Sequence, residues 1–179
     1  MAAEARFEVP WAEDMEALGA RLAGAIFLSA LAGSGAIFSP ALADAGGVVF
    51  LSGDLGAGKT TLVRGFLRAL GHRGAVKSPT FTLVEPYELE EPGGRRVVNH
   101  FDLYRIEGVA DLEGLGFRDY LDGAALCLIE WPERGARAAV APDLEVRIDI
   151  VGTGRVVVMY ARTPWGRAVL SACVKRSSG

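Results

Sequence analysis

Cysteine and histidine are scarce in this chain, with two of each, and their scarcity limits the kinds of site it can build. Cys127 and Cys173 stand alone in the sequence and form neither a CxxC pair nor a Cys/His metal spacing. Isolated thiols are more often buried or incidental than paired. We therefore expect a reducing compartment and no metal site built on cysteine.

An excess of positive charge is also missing. The chain carries 19 lysine and arginine residues against 22 aspartate and glutamate residues, a formal net charge of -3 at pH 7. No global positive field exists to hold a polyanion such as tRNA, so any role on nucleic acid is expected to be indirect. The chain has 179 residues and is 50% hydrophobic, as is typical of a globular protein, so we expect a single domain over residues 1–179.

One long segment lacks charge altogether, which raises the question of a membrane span or a cleaved signal. Residues 22–43 contain no charged side chain, but the charged residues before them are mainly acidic, opposite to the basic start of a signal peptide. The segment is also rich in alanine and glycine and is interrupted by Pro40. We expect no membrane contact and a cytoplasmic protein. Residues 12–32 are predicted to be helical, and residues 25–46 to include an insertion or loop-rich connection.

Hydrophobic patterns predict alternating strands and helices. Residues 48–51 form an apolar run without polar alternation, which is typical of a strand buried on both faces, and residues 60–70 have helical spacing. The remaining patterns predict an antiparallel hairpin from 81–89 and 96–106, a short helix at 111–121, a buried strand at 125–131, strands at 144–151 and 155–161, and a helix at 165–174.

The segment between the first predicted core strand and its helix reads GDLGAGKT at residues 53–60, which satisfies the pattern G-x-x-x-x-G-K-[ST]. Its glycines let backbone N–H groups surround phosphates, and the helix start adds a positive dipole end. We therefore predict a single-domain α/β P-loop NTPase fold with a mixed, largely parallel central sheet and flanking helices. The residues expected to bind ATP are Gly53, Asp54, Leu55, Gly56, Ala57, Gly58, Lys59, Thr60 and Thr61.

Individual roles follow from the chemistry of the side chains. Lys59 is expected to reach the β- and γ-phosphates, and Thr60 to ligate Mg²⁺ through its hydroxyl group. Thr61 is expected near the α-phosphate. Glu130 follows an apolar strand, where a carboxylate usually completes the magnesium site; the alternative is a merely solvated glutamate at a strand end.

Two further segments are candidates for catalysis. A strand through residues 99–105 would place His100, Asp102 and Tyr104 on one side, where they either orient water or the hydration shell of the metal or are satisfied structurally. Thr80 follows a Ser-Pro pair and is a candidate switch residue near the γ-phosphate, although this sequence is equally typical of an ordinary turn. The chain has no N-K-x-D segment for guanine recognition, which favours adenine.

Four motifs in order resemble the TsaE family, also called YjeE: GDLGAGKTT at 53–61, SPTFTLVEPYE at 78–88, HFDLYR at 100–105 and LIEWPERG at 128–135. The resemblance spans residues 47–150 and is much more specific than the P-loop alone. It implies the bacterial ATPase of tRNA threonylcarbamoyladenosine biosynthesis, which hydrolyses ATP weakly in isolation and acts with the partner proteins TsaD and TsaB. Residues 25–45 depart from the family, whose connection there is shorter.

The resemblance also implies roles for residues outside the loop. Glu130 would complete the magnesium environment, and Asp102 and Thr80 match positions linked to catalysis or nucleotide sensing. Trp131 is either a reporter of nucleotide occupancy or a packing residue. Arg134 and Arg137 either touch phosphate or a partner or, as we favour, are solvated at the surface.

The sequence therefore predicts a partner-activated, Mg²⁺-dependent ATPase in which water attacks the γ-phosphorus in line. Two other hypotheses stay open. In the first, ATP occupancy assembles the complex and hydrolysis is incidental. In the second, the chain is a small-molecule kinase, which would require an acceptor pocket.

Overall fold

The computed structural model describes residues 3–27, 46–91, 94–121 and 123–175. Within these ranges the strands are β1 Glu4–Val9, β2 Val48–Ser52, β3 Val84–Glu91, β4 Gly94–Asp102, β5 Leu126–Glu130, β6 Leu144–Val151 and β7 Gly154–Ala161. The α-helices are α1 Ala12–Ile26, α2 Lys59–Ala69, α3 Val109–Gly114, α4 Ala136–Ala139 and α5 Pro164–Lys175, and short 3₁₀ helices cover Phe117–Tyr120 and Pro132–Arg134.

The strands form one mixed sheet in the order β1-β7-β6-β2-β5-β4-β3. The four inner strands β6, β2, β5 and β4 run parallel, and antiparallel strands flank them on both sides. The predicted α/β fold with a mixed, largely parallel central sheet is therefore confirmed. Because β2, β5 and β4 are parallel, their carboxyl ends meet at one edge of the sheet, where the P-loop follows β2.

Hydrophobic clusters cover both faces of the sheet. Successive residues of β2 point to opposite faces, so Val49 and Leu51 join the cluster under α1, α2 and α5, while Phe50 joins the cluster under α3 and α4. All three side chains have zero exposure. This explains why the sequence of β2 shows a continuous apolar run rather than an alternating one.

Helices α1 and α2 pack in close backbone contact. A Cβ atom added at Gly65 of α2 would lie 2.1 Å from the carbonyl oxygen of Glu16 in α1, and one added at Gly19 would lie 2.1 Å from the carbonyl oxygen of Leu62. Only glycine allows this approach at either position. Within the described ranges, none of the helices has the length and apolar character needed to cross a bilayer.

The predicted boundaries of the two hairpin strands differ from those in the structure. The hairpin strand β3 begins at Val84 rather than residue 81, because Leu83 has a left-handed φ of 66° and its N–H bonds to the Pro79 carbonyl in a turn. Strand β4 ends at Asp102 rather than residue 106, because the Asp102 carboxylate accepts the Tyr104 N–H and turns the chain.

Three other predictions differ from the structure or extend beyond it. The single helix predicted at 111–121 is α3 plus a separate 3₁₀ helix, divided by a turn at Leu115 and Gly116. Strand β1 was not predicted. Helix α1 begins at Ala12 as predicted, while residues 28–45 of the predicted helix and connection lie outside the described residues.

Candidate functional site

The P-loop connects β2 to α2 and exposes backbone N–H groups at the start of that helix. Gly58 precedes the helix with a φ of 111°, a left-handed conformation that a residue with a side chain rarely adopts. Helix α2 then begins at Lys59, so its first N–H groups and positive dipole end face the loop. This is the local geometry that binds phosphate groups.

The side chain of Lys59 folds over the loop. Its Nζ donates a hydrogen bond to the Asp54 carbonyl oxygen at 2.9 Å and another to the Gly53 carbonyl oxygen. It also lies 3.8 Å from the centre of the Trp131 ring, a cation–π contact. Burial lowers the pKa of Lys59 from the ordinary lysine value of 10.5, and attraction to nearby carboxylates, chiefly that of Glu130, offsets only part of this effect.

The two residues predicted to hold Mg²⁺ are in direct contact. The Thr60 hydroxyl at the start of α2 donates to Glu130 Oε1 at the end of β5, over 2.8 Å. Glu130 is only 2% exposed. The hydroxyl and the carboxylate are hard oxygen donors beside a phosphate-binding loop, and this donor set fits Mg²⁺.

His100 approaches the same carboxylate from the sheet. The register of β4 and β5 pairs His100 with Leu128 and Asp102 with Glu130, which puts all four residues on one face of the sheet. The His100 side chain has zero exposure, and its Nε2 lies 2.8 Å from Glu130 Oε1. The row predicted through His100 and Asp102 is thus confirmed, while Tyr104 lies beyond the end of the strand.

Asp102 joins β4 to the loop before β3. Its Oδ2 accepts hydrogen bonds from the Ser78 hydroxyl and, over 2.8 Å, from the Thr80 hydroxyl. Its Oδ1 accepts the Tyr104 N–H at 3.0 Å. The structure therefore brings the two predicted residues Thr80 and Asp102 together, and both oxygens of Asp102 are already engaged.

A cavity of about 360 Å³ lies over these groups. It is lined by Leu55, Gly56, Gly58, Lys59, Thr60, Thr61, Ser78, Thr80, Asp102, Tyr104, Glu130 and Trp131. The predicted residues Gly53, Asp54 and Ala57 shape the loop but do not line this cavity. Asp102, Glu130, Thr80 and Lys59, the four predicted catalytic residues, all do.

Aromatic residues stand at the rim of this cavity, which we call the phosphate cavity. The rings of Trp131 and Tyr104 are 5.0 Å apart, and the Arg134 guanidinium lies 5.6 Å from the Tyr104 ring. Arg137, by contrast, pairs with Glu145 and does not line the cavity. Leu55 and Phe81 are 74% and 83% exposed, respectively, which is unusual for such apolar side chains.

A second cavity of about 210 Å³ lies on the other side of the P-loop, and its residues outside the loop and the start of α2 were not predicted from the sequence. We call it the N-terminal cavity. It is lined by Pro10, Trp11, Ala12, Met15, Gly56, Ala57, Gly58, Thr61, Thr153 and Arg155. Arg155 donates to the carbonyl oxygens of Gly56 and Ala57 at 3.2 and 3.1 Å, which ties the loop to β7.

The only sequence signal for this cavity is weak. Trp11 follows a proline just before α1, and Arg155 follows a Gly-Thr-Gly turn. Neither pattern indicates contact with the P-loop, which lies about 100 positions from Arg155 in the chain. The two residues reach the same cavity only because β1 pairs with β7.

The chain is similar to known proteins over most of its length. The family model described as "Threonylcarbamoyl adenosine biosynthesis protein TsaE" matches residues 10–157. A Haemophilus influenzae protein named tRNA threonylcarbamoyladenosine biosynthesis protein TsaE is 46% identical over 125 residues, which cover 70% of this chain and 77% of the relative. A Treponema pallidum protein of the same name is 38% identical over 120 residues, 67% of this chain and 85% of the relative.

A solved structure shares the fold. The crystal structure of Bacillus subtilis YdiB superposes with a TM-score of 0.69 at 25% sequence identity, and the match covers 98% of this chain and 97% of the other.

Proposed function

This chain belongs to the TsaE family, which acts in tRNA threonylcarbamoyladenosine biosynthesis, and from that premise we propose that it binds ATP with Mg²⁺ and hydrolyses it. The observation that carries the proposal is the contact between Thr60 and Glu130, 2.8 Å apart beside the P-loop and Lys59. A phosphate-binding loop, a lysine ammonium beside it and a pair of hard oxygen donors are the parts that phosphoanhydride hydrolysis requires.

Each part has a defined task in the proposed reaction. The N–H groups at the start of α2 and the Lys59 ammonium stabilise negative charge on the phosphates as the bond to the γ-phosphorus loosens. Thr60 and Glu130 would hold Mg²⁺, which supplies a Lewis acid to the phosphate oxygens when it is bound. Thr80 and Asp102, which line the same cavity, orient the attacking water in line with that bond.

The N-terminal cavity is suited to the base and sugar of the nucleotide. It shares Gly56, Gly58 and Thr61 with the phosphate cavity, so one extended ligand can occupy both. Trp11 provides a flat apolar surface for stacking, whereas the phosphate cavity contains the charged groups. We therefore propose that the adenine of ATP stacks on Trp11.

Partner activation would explain the exposed apolar rim. Leu55 lies in the P-loop and Phe81 directly follows Thr80, and a partner that covers both exposed side chains would also exclude water from the phosphates. We assign this role to TsaD and TsaB, so tRNA meets this chain only through the complex. That role would place the chain in the cytoplasm.

The test is Mg²⁺-dependent phosphate release from ATP by the full chain, alone and with TsaD and TsaB. The Lys59→Ala variant should lose the partner-stimulated activity by about 10²- to 10³-fold, the usual cost of one lost charge-stabilising group. Lys175→Ala, which removes an exposed lysine on α5, is the matched control and should behave like the wild type. Phosphate release that is unaffected by Lys59→Ala would exclude the ATPase function.

A second function is favoured by the hydrogen bonds that Asp102 already accepts. Three donors already occupy its two oxygens, so it is better suited to hold the Thr80 segment than to accept a proton from water. In that case ATP occupancy orders the segment and assembles the complex, and hydrolysis is incidental. A Glu130→Gln variant that binds ATP but does not hydrolyse it decides the question, because complex assembly and tRNA modification would persist only under this second function.

A further inference from the structure

We infer that His100 is a positioning residue for the proposed magnesium site, where it holds the Glu130 carboxylate against Thr60. This inference rests on the proposed function, since it assigns a task to a residue that touches neither nucleotide nor metal there. His100 is not among the residues that line either cavity at the P-loop.

The geometry fixes the carboxylate from two directions. Glu130 Oε1 receives the Thr60 hydroxyl from α2 and the His100 ring from β4, each over 2.8 Å. A carboxylate only accepts hydrogen bonds, so the His100 nitrogen that faces it must carry the hydrogen. The His100 ring therefore donates from Nε2, and this contact sets the orientation of Glu130 before any ligand arrives.

The burial of His100 is difficult to explain as packing alone. Among the residues that the structure describes, its Nδ1 atom has no hydrogen-bond partner, although the side chain has zero exposure. Val98 and Leu128, its neighbours on the same face of the sheet, are fully buried apolar residues. An apolar side chain at position 100 would fill this space without the cost of an unpaired buried nitrogen. The contact from Nε2 to Glu130 is the interaction that an apolar side chain would lack.

Ligand carboxylates depend on such support. A metal ligand that is free to rotate must be ordered when the metal binds, and loss of a supporting hydrogen bond usually costs about 10- to 100-fold in metal affinity or activity. The contribution of His100 should therefore be seen in the Mg²⁺ dependence of nucleotide binding rather than in nucleotide binding itself.

The experiment compares two variants of the full chain that differ by one methylene group. In His100→Gln the amide nitrogen can take the place of Nε2, whereas in His100→Asn the side chain is too short to reach Glu130. Calorimetry gives the ADP affinity in EDTA. A series of Mg²⁺ concentrations then gives the concentration at which half of the Mg²⁺-dependent increase in ADP affinity is reached. We expect His100→Asn to raise that concentration about 10- to 100-fold and His100→Gln to raise it by less than about threefold, with ADP affinity in EDTA unchanged in both.

Two results would overturn the assignment and can be told apart. If the wild type binds ADP with no dependence on Mg²⁺, the proposed function fails and the role of His100 fails with it. If the wild type depends on Mg²⁺ but the Gln and Asn variants have the same Mg²⁺ requirement, only the positioning role is wrong. Thermal unfolding of both variants checks the fold. If both lose the same stability, that loss cannot account for a difference between them in Mg²⁺ requirement.

Discussion

The two cavities that flank the P-loop are lined by different kinds of side chains. The phosphate cavity is formed by buried charged and hydroxyl groups, with Lys59 and Glu130 exposed by only 4% and 2%. The N-terminal cavity is formed largely by Trp11, Met15 and the loop backbone, with Arg155 as its charged residue. One side of the loop is thus organised to hold and polarise charge, and the other to accommodate a flat, weakly polar group.

The difference shows that the loop alone does not define the site. Its two sides face different helices, since α2 contributes Lys59 and Thr60 to one cavity while α1 begins directly after Trp11 at the other. The packing of α1 on α2 therefore sets the position of one cavity wall relative to the other. Changes to that packing should affect both cavities, whereas changes to a single wall should affect one.

The largest effect is expected from Gly65→Ala, at the contact between the two helices. The added methyl group would lie 2.1 Å from the Glu16 carbonyl oxygen, so the helices must separate. Alanine favours a helix by about 1 kcal/mol, but overpacking costs about 1–3 kcal/mol or more when backbone atoms must move. We expect the overpacking to dominate, with a lower free energy of unfolding in urea and weaker ATP binding.

Gly114→Ala is the matched control for that experiment. Gly114 is the exposed last residue of α3, and apart from its own helix and chain neighbours a Cβ atom there would meet no described atom within 4 Å. The same substitution should leave the free energy of unfolding unchanged or raise it by up to about 1 kcal/mol. Equal behaviour of the two variants would show that close packing of α1 on α2 is not what holds the cavities in place.

A smaller and more selective effect is expected from Trp11→Ala. Stacking of a base on an aromatic side chain is worth about 1–3 kcal/mol, and Trp11 is 69% exposed and free to stack. ATP affinity should fall roughly tenfold, the lower half of that range, while affinity for tripolyphosphate, which has no base, should not change. Trp11→Phe keeps an aromatic surface and should retain most of the ATP affinity.

Calorimetric titration with both ligands distinguishes the two sides of the loop. A parallel loss of ATP and tripolyphosphate affinity in Trp11→Ala would mean that Trp11 supports the loop rather than the base. The N-terminal cavity would then have no separate role, and the contrast between the cavities would not hold.

The phosphate cavity was predictable because its residues are marked locally in the sequence. Lys59 and Thr60 belong to a contiguous motif, and Glu130 ends an apolar run whose length and composition indicate a buried strand. Parallel strands bring their carboxyl ends to one edge of the sheet, so a strand-end carboxylate and a P-loop meet without any knowledge of the register. The contact between Thr60 and Glu130 needed only this rule.

The N-terminal cavity was not predictable because it depends on pairing between distant segments. Strand β1 is short and carries alternating charges, and it forms by pairing with β7 near the other end of the chain. Without that strand, Trp11 had no position relative to the loop. The turn after Asp102 was missed for another reason, since side-chain capping of the Tyr104 N–H competes with strand propensity and is local to one residue.

The smallest effect, and the one that tests the charged character of the phosphate cavity, is a pH dependence of stability caused by Lys59. Burial lowers the pKa of this ammonium group in the folded chain below the ordinary value of 10.5, which it keeps in the unfolded chain. Between the lowered pKa and 10.5, the unfolded chain therefore binds more protons than the folded one. Stability contributed by this group therefore rises with pH through that window, and below it the buried charge is a constant cost.

Lys59→Met removes the group, so the free energy of unfolding of the wild type relative to this variant should increase as the pH approaches 10.5. Urea unfolding of both chains at several alkaline pH values measures the difference and cancels the titration of all other groups. A difference that falls as the pH rises would mean that the carboxylates outweigh burial, and the cavity would then bind its lysine as an ion pair rather than hold it as a partly desolvated cation ready for phosphate.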